Sequence, residues 1–506
     1  MFESILNLIE RRFAFILTAV LILRVSYLSS SDLDLIGDES YYWDWSRRLD
    51  WCYYSKPPMV AWLIAASTAV FGDNALGVRL PAVLLGTLAL YFLYETAKGF
   101  YSSRAGALAV LIALAMPFNV LANFLMTIDA PLNCFWIASM YFLRKALFDH
   151  VLKAWLWAGV ATGAALLSKQ VAILIPLMLM VFLLADSSRR HLFKREFLLY
   201  LFPVLVCLTP ILWWNQQHDW VMFGHSQGHF GNPTPVNLQT HLQNAGVFSL
   251  YQLLLTTPVL YTYILVISFK KLCIFNRLIA KEQFLLLLGP VLLLGILGLS
   301  FLQKVQGNWP MPFYLSSAIL ISGQSLVGIW QKSLKIGLTI GGVMVLLTYA
   351  LPVAIDNLKL HNTSLDPLSR FRHWKEVSDS VESMRRQVTR DYEGTILITR
   401  GHRCLTSQLA FYLPDQPVVY HYEASGKTTS QYDVWDGPEK MLGSTALIVT
   451  TQNNAAIPSE LIAAFQSFNL VGHFTDPMNL NNRYDLYLGE KLKYWPKSSD
   501  QTGNID

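Results

Sequence analysis

The chain has 506 residues, of which 53% are hydrophobic and only 14% charged, and its mean hydropathy is +0.36. A soluble domain carries about 25% charge, so the composition excludes a wholly soluble enzyme and is too apolar for disorder or a collagen-like fibre. Five cysteines exclude a disulfide scaffold, and a formal net charge of +5 is too mild to point to nucleic acid; a polytopic membrane protein remains.

A spanning helix needs about 20 apolar residues. Eleven segments approach that length, near 13–30, 78–97, 105–121, 130–147, 154–168, 171–185, 197–214, 246–268, 283–301, 312–330 and 336–354. The fifth and sixth are short and are either a full pair or one re-entrant pair. Lys and Arg stay cytoplasmic in short loops. With the N-terminus inside, the inner segments hold 17 of them, and the short outer loops hold only Arg47, Arg48, Lys56, Lys169 and Lys304. Arg24 and Arg79 lie at outer span edges. The pattern predicts an N-in, C-out topology. The first span reads as retained, not as a cleaved signal peptide, because it carries Arg24 and runs directly into an acidic loop.

The first outer loop covers 31–79 and opens with Asp32, Asp34, Asp38, Glu39, Asp44 and Asp50. Tyr41, Tyr42, Trp43 and Trp45 interleave with these acids, and the basic, rigid stretch Tyr53–Pro58 follows. An interfacial aromatic belt accounts for Trp43, Trp45 and Trp51. It does not account for Asp38-Glu39. Two adjacent acids beside a membrane mouth repel each other and lose solvation, and such pairs are held for proton transfer or cation binding.

Asp129 is the only charge between Arg104 and Arg144. It opens the segment Asp129-Ala130-Pro131, where a helix cap and a functional role are both open. The loop after 215 holds His218, Asp219, His225 and His229 with no Lys or Arg. His218 and Asp219 could contact a sugar or a metal, or be plain loop residues. Lys304 precedes Asn308-Trp309-Pro310 and is either a phosphate contact or a snorkelling anchor.

After Pro352 the composition changes. Residues 355–506 hold 15 Lys and Arg and 18 Asp and Glu, which marks a soluble extracytoplasmic domain beside a membrane domain over 1–354. Residues 371–388 have helical spacing. Strands are predicted at 395–399, 417–420, 446–450 and 484–488, with a helix at 459–468, so the domain reads as small and α/β. The tail after Pro496 reads as frayed. No CxxC or Cys/His zinc spacing occurs, and Cys52 with Cys404 is one pairing open outside the membrane.

Together these elements resemble the membrane glycosyltransferases of the GT-C class. They are an N-in span leading into an outer Asp-Glu pair, Lys-Pro-Pro, a span opening on Asp-Ala-Pro, a late Lys…Asn-Trp-Pro and the stretch Ser407–Tyr412. The closest branch is the one that includes bacterial protein O-mannosyltransferases and the lipid A aminoarabinose transferase. The resemblance implies a mostly helical membrane bundle with a small C-terminal α/β domain, in the bacterial inner membrane. It implies inverting transfer of one sugar from a polyprenyl-phosphate donor to lipid A, another lipid or glycan, or a protein. By motif match, Asp38 is the catalytic acid/base, Glu39 supports it or positions the acceptor, and Asp129 is the second acidic position. Lys56 matches a lysine that meets the donor phosphate, with Lys304 as a second phosphate candidate. The aminoarabinose transferase has Glu-Lys-Pro, where the Glu helps to bind a metal, and this chain has Ser55-Lys56-Pro57. No cofactor is therefore assigned, and a divalent metal stays open through His218. The partners implied are the lipid-linked donor, a lipid or glycan acceptor and membrane lipids.

Without the resemblance, the residues give the same chemistry. A carboxylate serves as base for the acceptor, and a lysine stabilises the departing phosphate. A transporter or flippase of a lipid-linked sugar is the competing class, but it would hold ionisable groups near the midplane, where this chain has few. A non-catalytic assembly protein leaves the acids and lysines without a purpose.

Overall fold

The computed structural model describes residues 2–228, 237–325, 327–361, 363, 366–388, 394–451, 456–476 and 482–496. His229 and the tail after Pro496 lie outside them. The fold is mostly helical with one small sheet. Each apolar segment read from the sequence is helical. The helices Ala75–Phe100, Arg195–Gln217 and Ile329–Leu358, and the stretch Ala280–Leu302, are long and apolar enough to cross a bilayer by length and composition.

Several segments are broken where local chemistry demands it. The third bends by 76° between Ser103–Leu114 and Pro117–Phe124. Pro117 has no N–H to continue the earlier helix and suits the first position of the next. The eighth bends by 111° between Leu238–Thr256 and Pro258–Cys273, where Thr257 adopts φ +83° and caps the second helix with its hydroxyl. One helix was not anticipated as a separate element. Met59–Phe71 lies within the first outer loop and ends at Gly72, whose φ of +81° favours glycine.

The sheet has five strands: β1 Ile396–Arg400, β2 Val419–Tyr422, β3 Ala446–Thr451, β4 Phe465–Thr475 and β5 Arg483–Leu492. Their order is β2-β1-β3-β5-β4. β1 pairs parallel with β2 and β3, and β5 pairs antiparallel with β3 and β4. The expected helix over 459–468 is shorter, Ser459–Ala463, and β4 replaces its second half. Leu461, Ala464, Phe465 and Phe468 have helical spacing, but the ladder to β5 is a non-local pairing that local periodicity does not reveal.

The sheet domain is not a tethered appendage. One apolar core joins Leu35, Trp43, Trp45 and Tyr53 of the first loop to Val381, Leu409, Phe411 and Leu486 of the C-terminal region. Trp43 meets Phe411 edge-on at 4.8 Å. The loop helix Gly37–Ser46 and the domain helix Arg403–Tyr412 lie against each other, and a Cβ on Gly37 would stand 2.2 Å from Cys404 Sγ. Glycine at 37 is what permits that approach. Cys52 and Cys404 are both free, so the Cys52–Cys404 pairing does not form. Cys52 is buried against Met222 and Asn215 instead.

Leu409 is fully buried in the shared core. We expect Leu409→Ala to cost about 2–5 kcal/mol. Thermal unfolding of the detergent-purified protein should show the loss, and limited proteolysis should then open the first loop together with the domain.

Candidate active site

The mouth is built from the N-terminus of the helix Gly37–Ser46. Glu39 sits in its first turn and is fully buried. Its carboxylate takes two charge-assisted bonds from Arg79, at 2.9 Å from Nε and 2.8 Å from Nη2. It also accepts the backbone N–H of Met126 at 3.0 Å and of Ile36 at 3.2 Å. Arg79 in turn donates to the carbonyls of Leu33 and Asp34. Such a bidentate pair is directional, and breaking it leaves an uncompensated buried charge. Glu39 is therefore committed to holding the loop and has no face left for an acceptor.

The C-terminal domain grips the same turn. Gln408 Nε2 donates to the Leu35 carbonyl at 2.7 Å, and the Leu35 N–H donates to Tyr412 Oη at 2.7 Å. Ser40 and Ser407 hydroxyls lie 2.9 Å apart. Asp34 accepts the Trp374 N–H at 3.0 Å, and burial raises its pKa. Asp44 is fully buried, accepts from Tyr432 Oη at 2.9 Å, and is also pushed up by burial. Asp50 accepts from Trp214 Nε1. Thus most of the acidic series is structural, in contrast to its neighbour Asp38.

Asp38 keeps 47% of its side chain exposed and pairs with Arg403 Nη2 at 3.0 Å. Both line a cavity of about 980 Å³ whose wall includes Arg370, Arg372, His373 and His402. On the membrane side, Asp129 is the first residue of the helix Asp129–Phe148, and its side chain does not cap that helix. Its carboxylate binds Lys169 Nζ at 2.7 Å and Asn308 Nδ2 at 2.6 Å. The Lys169–Asp129 pair is nearly buried, with side chains 10% and 6% exposed.

Lys56 lies between these two pairs electrostatically and feels the charges of Lys169, Asp129, Asp38 and Arg403. Its ammonium has no hydrogen bond or ion pair among the described residues. Burial, reinforced by Lys169, lowers its pKa to about 8. Its loop is fixed from both sides: Gln170 Nε2 donates to the Ser55 carbonyl, and the Tyr54 N–H donates to Gln431 Oε1. The result is three cations and two carboxylates around one mouth, with one cation unpaired.

The remaining sequence candidates fall elsewhere. Lys304 is exposed and makes no ion pair or hydrogen bond among the described residues; Asn308 in the same motif reaches Asp129 in its place. His218 closes the helix Arg195–Gln217, with Nδ1 2.8 Å from the Trp214 carbonyl oxygen and its ring stacked on Trp214. Asp219 takes φ +51° in the turn that follows. Among the described residues no three His, Cys, Asp or Glu side chains cluster as metal ligands. Lys169, Arg79 and Arg403 were not read as site residues. Lys169 carried one signal, as the lone cation in a short outer loop; Arg403 carried none.

Residues 55–214 match the family described as dolichyl-phosphate-mannose-protein mannosyltransferase. The chain is 27% identical over 415 residues to the lipid A galacturonosyltransferase RgtD of Rhizobium johnstonii, covering 81% of this chain and 84% of that protein. It is 28% identical over 208 residues to an undecaprenyl phosphate-alpha-4-amino-4-deoxy-L-arabinose arabinosyl transferase of Pseudomonas aeruginosa, a match to 39% of this chain and only 32% of that enzyme. The fold is that of ArnT from Cupriavidus metallidurans. The structure bound to undecaprenyl phosphate superposes with a TM-score of 0.62 at 17% identity, covering 94% of this chain and 98% of that one. The protein is a glycosyltransferase, and its sequence and fold resemble those of the GT-C class. Within that class it is similar both to RgtD and to the ArnT transferases.

Breaking the buried pair and touching the open acid should differ in effect. Glu39→Gln is expected to cost about 3–5 kcal/mol of stability. Asp38→Asn, on a half-exposed side chain, should stay within about 1 kcal/mol of the parent. Paired thermal unfolding curves in detergent check both.

Proposed function

We propose that the protein transfers a single sugar from a polyprenyl-phosphate donor to lipid A or a related envelope acceptor, with inversion, at the outer face of the bacterial inner membrane. On this reading an eleven-span, N-in, C-out arrangement would put the mouth and the sheet domain on that face. What supports the reading is the unpaired, partly desolvated Lys56 set beside two acid–base pairs, Asp38–Arg403 and Asp129–Lys169. A partly buried cation without a partner among the described residues is an anion site waiting for charge, and a lipid phosphate supplies it.

In this reading the donor phosphate sits on Lys56. The acceptor oxygen attacks the anomeric carbon from the side opposite the phosphate. The carbon–oxygen bond to the phosphate breaks, and its electron pair stays on the phosphate oxygen, where Lys56 stabilises the charge. A proton on an attacking hydroxyl passes to the Asp38 carboxylate, which is open to the cavity. Asp129 is a positioning residue: it holds Lys169 and Asn308, and Lys169 raises the local positive potential. Arg370, Arg372 and His373 around the cavity suit a phosphorylated acceptor such as lipid A. The named relatives are all transferases, so the flippase reading is not favoured.

Loss of the base is expected to lower kcat by about 10²–10⁴-fold. In Asp38→Asn cells, mass spectrometry of lipid A should therefore lose the same sugar-sized mass as in the deletion, while donor binding by the purified variant persists. A variant that keeps the added mass removes Asp38 as the base.

The pH dependence has a definite sign. Lys56 carries its proton below about pH 8 and loses it above. The phosphate prefers the charged form, so donor affinity should be flat below that pH and fall as pH rises through it. Lys56→Arg stays charged, and titration of undecaprenyl phosphate against it should lack the alkaline fall.

A further inference from the structure

A second cleft, of about 240 Å³, opens where the first loop meets the sheet domain and is separate from the cavity beside Asp38. We propose that it binds a saccharide ring, uncharged or amine-bearing. Two half-buried indoles, Trp435 and Trp495, line it. Trp495 packs edge-on against Tyr422 at 5.7 Å. Its place depends on Gly437, since a Cβ there would lie 2.5 Å from the indole nitrogen. An indole face is electron-rich and attracts the weakly positive C–H groups of a sugar ring.

The polar lining supplies the hydroxyl partners. The Arg48 guanidinium lies over Trp435, 4.1 Å from the ring centre, and its Nη2 is buried with no hydrogen-bond partner among the described residues. An unsatisfied buried donor favours a ligand oxygen. Glu423 and Asp436 add acceptors, and with Asp433 and Glu439 the lining acids outnumber the cations Arg48 and Lys427, which disfavours a phosphate or a uronate. The floor is rigid. His421 is 3.2 Å from Asp433, and Asp433 also holds Thr429 and Ser430. Asp433 and the Gly401 carbonyl raise the His421 pKa against its burial.

The cleft is wired to the catalytic mouth. His421 Nε2 lies 2.9 Å from the Gly401 carbonyl, just before Arg403, and Gln431 holds the loop that carries Lys56. A sugar bound here would stand beside the catalytic mouth without reaching its reacting atoms. The inference does not rest on the assignment of Asp38 or Lys56, because its readout is binding and not turnover.

The test is saturation-transfer NMR on the full-length protein in detergent, with D-glucosamine as probe and D-glucuronic acid as the anionic comparison. Glucosamine should receive saturation and glucuronic acid should not. Trp435→Ala should weaken the glucosamine interaction by about tenfold or more, and Gly437→Ala, which displaces Trp495 while leaving the aromatic core intact, should also weaken it. Lys56→Ala should leave it unchanged. Signal lost in Lys56→Ala but kept in both cleft variants assigns the sugar to the donor site and overturns the proposal. Absence of glucosamine saturation in the parent protein also overturns it.

Discussion

The site-bearing end of this protein depends on the buried pair between Glu39 and Arg79. Arg79 comes from a long membrane helix and Glu39 from the first turn of the loop helix, so the pair ties the loop to the bundle. The carbonyls of Leu33 and Asp34 accept from two further Arg79 donors, and the N–H of Met126 uses a remaining Glu39 lone pair. A buried ion pair is tolerated only when its other hydrogen bonds are satisfied in this way. The consequence is directional. With Glu39 turned inward, the preceding Asp38 is left on the cavity side, within reach of Arg403. Two adjacent carboxylates thereby take opposite roles.

The charge pattern at the mouth follows the same logic. Asp129 and Asp38 each hold a cation, so both carboxylates are paired in a partly desolvated place. Lys56 has no such partner among the described residues, and burial lowers its pKa. A site of this kind favours anions, because an arriving negative charge relieves the desolvation penalty. Preorganised charge of one sign, fixed before the reaction begins, is the largest electrostatic lever that an enzyme has for a developing anion.

The C-terminal domain completes the site and does not merely cover it. It supplies Arg403, the wall of the large cavity and the residues that hold the Lys56 loop. The shared aromatic core between Trp43 and Phe411 makes the domain and the first loop one folding unit.

Composition and apolar runs were enough to read a helical membrane protein with an outer acidic loop and a mixed α/β C-terminal region, because burial in lipid demands apolar helices whatever their neighbours. The Asp-Glu pair, Lys56 and Asp129 were visible as charges in places where charge is costly. The sequence could not separate Asp38 from Glu39, since adjacent residues on a helix face different directions and only the position of Arg79 chooses between them. It could not place Lys169 or Arg403, which arrive from 40 and 365 residues away from their carboxylates. Nor could it distinguish β4 from a helix, or Lys304 from Asn308 as the motif residue that reaches the site. Local pattern determined which residues leave water; the long-range packing of the loop helix between bundle and sheet domain decided which charges meet.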